Sequence, residues 1–218
     1  MIFDKSTPFK TQTSAIYEIA SGAKLLKGFA LDYEEKLILD TSMLMRQSKP
    51  RHMMTPRGFK MSVAMTSCGN LGWTSSNRGY VYHSYDPETS LPWPKMPDSF
   101  VTLARESAGI CGFPDFIPDS CLINLYSIGA KMALHQDKDE KDMESPIVSV
   151  SLGIPAIFMF GGNSRKDKVR RILLEHGDIV VWGGSSRLNF HGIMPIQENS
   201  HGILGRSRIN LTFRKVER

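Results

Sequence analysis

The decisive stretch reads Val148-Ser149-Val150-Ser151-Leu152-Gly153-Ile154-Pro155-Ala156-Ile157-Phe158-Met159-Phe160-Gly161-Gly162. Val148, Val150 and Leu152 alternate with Ser149 and Ser151, the period of a strand with two unlike faces. Gly153-Ile154-Pro155 interrupts the pattern, Ala156 to Phe160 forms a continuous apolar strand, and Gly161-Gly162 closes it. The same grammar continues towards the C-terminus. Asp178 to Trp182 is an apolar run between His176-Gly177 and Gly183-Gly184. Ile209, Leu211 and Phe213 then alternate with Arg208, Asn210, Thr212 and Arg214. From Cys121 onward the chain is thus a series of short strands, which argues for a sandwich or jelly roll over a parallel α/β sheet.

Working outward, Asp98 to Ala108 reads as a helix. Phe100, Leu103, Ala104 and Ser107 line one face, and Gly109 supplies the stop. The region from about Lys49 to Pro94 mixes Arg51, His52, Arg57, Lys60 and Arg78 with Phe59, Trp73, Tyr80, Tyr82 and Tyr85. Within it Phe59, Met61, Val63 and Met65 alternate with Lys60, Ser62, Ala64 and Thr66, as on a half-exposed strand. Glycines and prolines follow as short hairpins require. The N-terminal part reads as helical, with Asp32 and Glu35 spaced like a capping box ahead of Leu37, Ile38 and Leu44. The organisation expected is an N-terminal helical extension over 1–48, a basic, aromatic segment over 49–94, and a β core over 95–218, all in one compact unit.

Composition excludes several classes. The chain has 218 residues, 41% hydrophobic and 22% charged, the values of an ordinary globular protein. The longest nearly unbroken apolar stretch, Ile154 to Phe160, is too short to cross a bilayer, and the opening MIFDKSTPFK lacks the apolar core of a signal peptide. A cytoplasmic protein is expected. The net charge of +5 is compatible with a polyanionic partner without requiring one. Cys68, Cys111 and Cys121 form no C-x-x-C pair and read as buried thiols.

Two constellations carry chemistry. In His135-Gln136-Asp137, residues two apart on an extended segment project to the same side. Alone, H-x-D is a common accident ahead of the charged run Lys138 to Lys141. A third donor changes its weight: His191 lies just beyond the strand ending at Trp182, within reach if the strands fold back. Two histidines and a carboxylate on one face of a metal leave open positions opposite, as in non-haem Fe(II) oxygenases, and zinc uses the same donors. His52, His83, His176 and His201 lack such a pattern and read as loop or core histidines. The second constellation is the last strand, whose even positions put Arg208, Asn210 and Arg214 on one face. In a roll packed on its outside, that face points inward. Buried guanidiniums need anions, and a small dicarboxylate would satisfy both arginines if they lean towards each other.

With these residues on view, the chain resembles a bacterial member of the AlkB family of Fe(II)- and 2-oxoglutarate-dependent dioxygenases, which repair alkylated bases. The resemblance runs from about Arg51 to Arg214. It is carried by Asn124-Leu125-Tyr126-Ser127-Ile128-Gly129, His135-Gln136-Asp137-Lys138-Asp139-Glu140, His191 and Arg208-x-Asn210-x-Thr212-Phe213-Arg214, with Leu71-Gly72-Trp73 and Tyr80-Val81-Tyr82 in support. It implies a mainly β protein: a double-stranded β-helix (jelly roll) core with flanking helices and a nucleotide-recognition lid of short hairpins over 49–94. It implies Fe(II) on His135, Asp137 and His191, and O2 at a remaining iron position. It places 2-oxoglutarate between Arg214 near the iron and Arg208 at the far end, with Asn124, Tyr126 and Asn210 completing the pocket. Leu125 and Asn189 depart from the family pattern, which has a basic residue and an aromatic there.

The activity implied is oxidative demethylation of bases such as 1-methyladenine and 3-methylcytosine in DNA, preferably single-stranded, with release of formaldehyde. Methylation at those ring nitrogens makes the base cationic, so Trp73 offers stacking and cation–π attraction of roughly 0.5–2 kcal/mol. Asp139 would favour the cation, while Tyr80, Tyr82 and Arg165 match positions that contact the nucleotide. The target must leave the stack to reach a buried site. The expected partner is alkylated DNA, single-stranded or duplex, with RNA an alternative; no membrane is involved and the chain acts as a monomer. The competing readings are the same chemistry on RNA or a protein side chain, and a jelly-roll module that binds nucleic acid without turnover.

Overall fold

The computed structural model describes residues 15–218. The expectation for the opening ten residues lies outside them. In chain order the elements are β1 (Ile16–Ala20), β2 (Ala23–Leu26), a 3₁₀ turn (Phe29–Tyr33), α1 (Glu34–Gln47), β3 (Ala64–Gly69), β4 (Gly72–Ser76), β5 (Gly79–His83) and α2 (Asp98–Ile110). There follow β6 (Ser120–Tyr126), β7 (Met132–His135), β8 (Ile147–Gly153), β9 (Ala156–Phe160), β10 (Arg170–Leu174), β11 (Ile179–Trp182), a second 3₁₀ turn (Gly184–Ser186), β12 (His191–Ile193) and β13 (Arg208–Arg214).

The major sheet has the order β1-β2-β11-β8-β13-β6-β3, the minor sheet β10-β9-β12-β7, and β4-β5 is a separate hairpin. All pairings between these strands are antiparallel. Alternation along the major sheet separates two cores. Val148, Val150, Leu152, Ile209, Leu211 and Phe213 turn outward and pack with Leu37, Leu44, Phe100, Leu103 and Ala104 of the helices. Their neighbours turn inward, where Leu122, Tyr126, Ile147, Val180 and Trp182 meet Phe158, Phe160 and Ile193 of the minor sheet. Ser149, Ser151, Arg208, Asn210, Thr212 and Arg214 share that inward face and are all buried. The jelly roll expected from strand grammar is therefore present, and the polar face of β13 points into it.

The structure corrects the reading elsewhere. The N-terminal part is not simply helical: β1 and β2 extend the major sheet through β2–β11. Asp32 lies in the 3₁₀ turn, and Tyr33, which makes no side-chain cap, precedes α1, so the Asp32–Glu35 spacing is not a capping box. The strand read from Phe59 starts only at Ala64; Phe59 is 69% exposed, because the chain before it turns through Thr55–Gly58. α2 runs on through Gly109 to Ile110, and the left-handed glycine that follows is Gly112 at φ +102. Its predicted buried face is otherwise correct. The run Ala156–Phe160 is not uniformly buried, since Ile157 and Met159 are half-exposed on the outer side of the minor sheet.

Candidate metal centre and cosubstrate pocket

The two distant histidines meet by strand register. His191 on β12 pairs directly with His135 on β7. Gly192 permits this approach, because a Cβ there would lie 2.6 Å from the Met132 carbonyl oxygen on β7. Ring centroids of His135 and His191 are 4.4 Å apart. Asp137, two residues past His135, closes the triangle: Oδ1 is 3.6 Å from His135 Nε2, and Oδ2 is 3.7 Å from His191 Nε2. One donor atom from each residue lies within 4.8 Å of the others. Each imidazole is oriented by the backbone two residues earlier. Nδ1 of His135 is 2.9 Å from the Ala133 carbonyl oxygen and Nδ1 of His191 is 3.0 Å from that of Asn189. A carbonyl only accepts, so Nδ1 carries the proton and both Nε2 lone pairs face Asp137.

Electrostatics favour a cation at that point. Burial would raise the Asp137 pKa, but the Arg214 guanidinium first, then both imidazoles, outweigh it and hold the carboxylate well below its usual range. Burial, then the proximity of His135, pushes His191 down to about 4. The ring is therefore neutral at pH 7, as a ligand must be.

The arginines sit where the sequence put them but do different things. Arg214 gives Asp137 Oδ2 hydrogen bonds from Nε (3.0 Å) and Nη2 (2.5 Å), and its Nε is 3.2 Å from Glu140 Oε1. Arg208 lies over the Tyr126 ring at 4.9 Å and donates from Nη2 to Ser151 Oγ at 3.0 Å. Its Nε and Nη1 are buried without any partner, as is Asn124 Oδ1. An unmatched buried guanidinium costs several kcal/mol and is the signature of a missing anion. Asn124 donates to Asn210 Oδ1 (3.1 Å), and Asn210 donates to Ser149 Oγ (2.8 Å), so the pocket wall is preorganised. The free N–H groups of Arg208 fit a carboxylate.

The departures from the family pattern have local explanations. Leu125 points away from the pocket and packs with the helix-side core. Asn189 serves His191 through its backbone oxygen, which any residue could supply, while its side chain donates to Ser186 Oγ at 3.1 Å.

On the β4–β5 hairpin, Trp73 stacks on Tyr80 with centroids 5.3 Å apart, and its Nε1 donates to Asp139 Oδ2 at 3.1 Å. Burial raises the Asp139 pKa, reinforced by Glu140 and Asp137. Tyr82 is held differently from Tyr80: its hydroxyl donates to Glu140 Oε1 at 2.7 Å. Arg165 is exposed, with its guanidinium 4.9 Å from the centroid of Phe190, next to His191. The sequence reading quoted Glu140 in the motif behind His135 and in the charged run Lys138 to Lys141 but gave it no role. It is 6% exposed, and the only cue was an acid close behind the H-x-D pair.

A β-roll with a histidine–aspartate–histidine cluster beside buried arginines defines the 2-oxoglutarate- and iron-dependent oxygenase class. The sequence matches the 2OG-Fe(II) oxygenase superfamily over residues 22–214. The solved structure of OsALKBH1 superimposes with TM-score 0.78 at 29% identity, covering 92% of this chain and 100% of that one. The alpha-ketoglutarate-dependent dioxygenase AlkB of Escherichia coli is 55% identical over 198 residues, 91% of this chain and 92% of its own. The DNA N(6)-methyladenine demethylase ALKBH1C of Arabidopsis thaliana is 36% identical over 123 residues, 51% of this chain and 27% of its own. The chain belongs to the AlkB family of Fe(II)- and 2-oxoglutarate-dependent dioxygenases. Among the described residues, no helix is long and apolar enough to cross a membrane.

Proposed function

We propose that this dioxygenase oxidatively dealkylates N-alkylated bases such as 1-methyladenine and 3-methylcytosine in DNA, preferably single-stranded, acting as a monomer in the cytoplasm. The observation that carries the proposal is the convergence of His135, Asp137 and His191 in the same interior as the unpaired donors of Arg208. His135, Asp137 and His191 would hold Fe(II). Arg214 would take the 2-oxoglutarate carboxylate nearer the metal and Arg208 the far one, with Asn124, Tyr126 and Asn210 lining the pocket. The bound groups supply coupled oxidation, in which 2-oxoglutarate and O2 give succinate and CO2 and the hydroxylated N-methyl group leaves as formaldehyde.

The protein's own part is positioning and selection. The Nδ1 contacts to Ala133 and Asn189 fix both imidazoles before any ligand arrives. Trp73, pinned by Asp139, presents an indole to a flipped base, and the carboxylate of Asp139 favours a cationic one. Tyr80 and Arg165 lie exposed where nucleotide and phosphate would run. Tyr82 supports the site from beneath through Glu140.

The test is formaldehyde release from iron-loaded protein given 2-oxoglutarate and matched oligonucleotides carrying 1-methyladenine or 3-methylcytosine. Release from methylated DNA above that from methylated RNA supports the reading. Release from RNA alone moves the substrate. Succinate without formaldehyde from either would refute base dealkylation.

A further inference from the structure

A third buried arginine, Arg187, has an environment opposite to that of Arg208. It is 3% exposed and every guanidinium nitrogen has a partner. Nε donates to the Ser145 carbonyl oxygen at 3.0 Å, Nη1 to the Asp137 carbonyl oxygen at 2.8 Å, and Nη2 to Glu140 Oε2 at 3.1 Å. Arg187 follows the 3₁₀ turn Gly184–Ser186 and lies on the segment that delivers His191. All three of its acceptors lie on the segment that begins at Asp137. A second tie joins the same two segments, from Gln136 Nε2 to the Leu188 carbonyl oxygen at 2.6 Å.

We propose that Arg187 is a positioning residue that fastens the His191 segment to the Asp137 segment and so sets the spacing of the metal donors. The inference rests on the metal-site reading above. The fork explains the residue type. Three acceptors are met in different directions by one planar cation, which a lysine ammonium cannot reproduce. Glu140 balances the charge locally, with the Arg187 and Glu140 side chains 3% and 2% exposed. The other oxygen of Glu140 receives the Tyr82 hydroxyl and lies 3.2 Å from Arg214 Nε. Arg187 therefore steadies both the peptide of Asp137 and the carboxylate that partners Arg214. It touches neither substrate nor metal.

The experiment measures Co(II) binding to metal-free full-length protein by visible absorption, with melting of the same samples. Loss of an outer tie to a metal ligand typically weakens binding 10–100-fold. Arg187→Met should weaken Co(II) binding by that order and alter its absorption bands, with Arg187→Lys intermediate. Leu37→Ala, in the core between helices and sheet, is the stability control: it should lower the melting temperature and leave Co(II) affinity unchanged. Co(II) affinity and spectrum equal to the unmodified protein in Arg187→Met overturn the inference. Equal weakening by Leu37→Ala overturns it too, by reducing the effect to general instability. Should Arg187→Met fail to fold, unchanged Co(II) binding in Arg187→Lys is equally fatal. Co(II) binding that survives His135→Ala would instead overturn the metal-site reading itself.

Discussion

Among the described residues, two clusters have the same composition, two histidines and a carboxylate, with donor atoms within 4.8 Å of one another: His135, Asp137, His191, and Glu34, His176, His201. Only the first can hold a cation as it stands. There, both Nδ1 atoms face backbone carbonyls, so the lone pairs sit on Nε2 and point at the shared centre. In the second cluster the backbone does the reverse. The Gly153 N–H donates to His176 Nδ1 at 2.8 Å, and the Ile203 and Leu204 N–H groups donate to His201 Nδ1 at 3.3 Å. An Nδ1 that accepts leaves the proton on Nε2, and His176 Nε2 lies 3.2 Å from Glu34 Oε1. The first cluster presents lone pairs and the second presents protons. Residue type and proximity do not make a metal site; the group behind each ring does.

The largest expected effect separates the clusters by activity. His135→Ala, Asp137→Ala or His191→Ala should bring formaldehyde release down to the background of metal-free protein, because the bound metal supplies the reaction. His201→Gln should leave the turnover rate within about twofold, as expected of a surface polar contact remote from the chemistry. Loss of turnover in His201→Gln would erase the contrast. Next in size is Arg208→Met. Removing one partner of a buried, hydrogen-bonded charge pair costs about 3 kcal/mol, roughly a 150-fold rise in KM for 2-oxoglutarate. Without cosubstrate the same change removes an unmatched charge, so the melting temperature should rise. A fall in melting temperature, with KM unchanged, would mean that Arg208 serves the fold and no ligand.

What the sequence made legible follows from period and face. Once β13 was read as a strand, the inward placement of Arg208, Asn210 and Arg214 followed from alternation, and the buried helix face of α2 followed from its spacing. Pairing between distant strands was not legible. Nothing local says that Ala23–Leu26 joins β11, because a strand of four residues carries too little pattern. The cross-links were hidden for a different reason. Glu140 sits among lysines and Arg187 among serines, and their burial as a pair depends on partners from distant segments. The tautomers were hidden too, since they are set by the carbonyls and amides that the fold brings behind the rings.

A smaller effect is expected at the substrate platform. Trp73→Ala should weaken use of a cationic methylated base by about 2–30-fold, the equivalent of ~0.5–2 kcal/mol of cation–π attraction. Decarboxylation of 2-oxoglutarate without base should change less, because Trp73 belongs to the hairpin and not to the pocket wall. Equal losses in both would place Trp73 in the packing of the iron site.

The mildest probe is pH, applied to metal-free protein. Both clusters contain a histidine whose pKa is lowered: His191 to about 4, by burial and then His135, and His176, by burial and then His201. A histidine held neutral by the fold contributes stability above its unfolded pKa and loses it as pH falls, since the unfolded chain binds the proton more readily. For His191 the window runs from about 6.5 down to about 4, and the loss reaches about 2 kcal/mol at pH 5. Asp137, held low, contributes a change only below the ordinary carboxylate range, so it does not blur this window. Melting temperature should therefore fall between pH 7.5 and 5 and fall less steeply in His191→Gln. His176→Gln should flatten the profile less, because Glu34 pulls the pKa of that ring back up. A flat profile in the unmodified protein would mean that His191 takes up a proton without cost, and the lone pair assigned to its Nε2 would no longer be reserved for a metal.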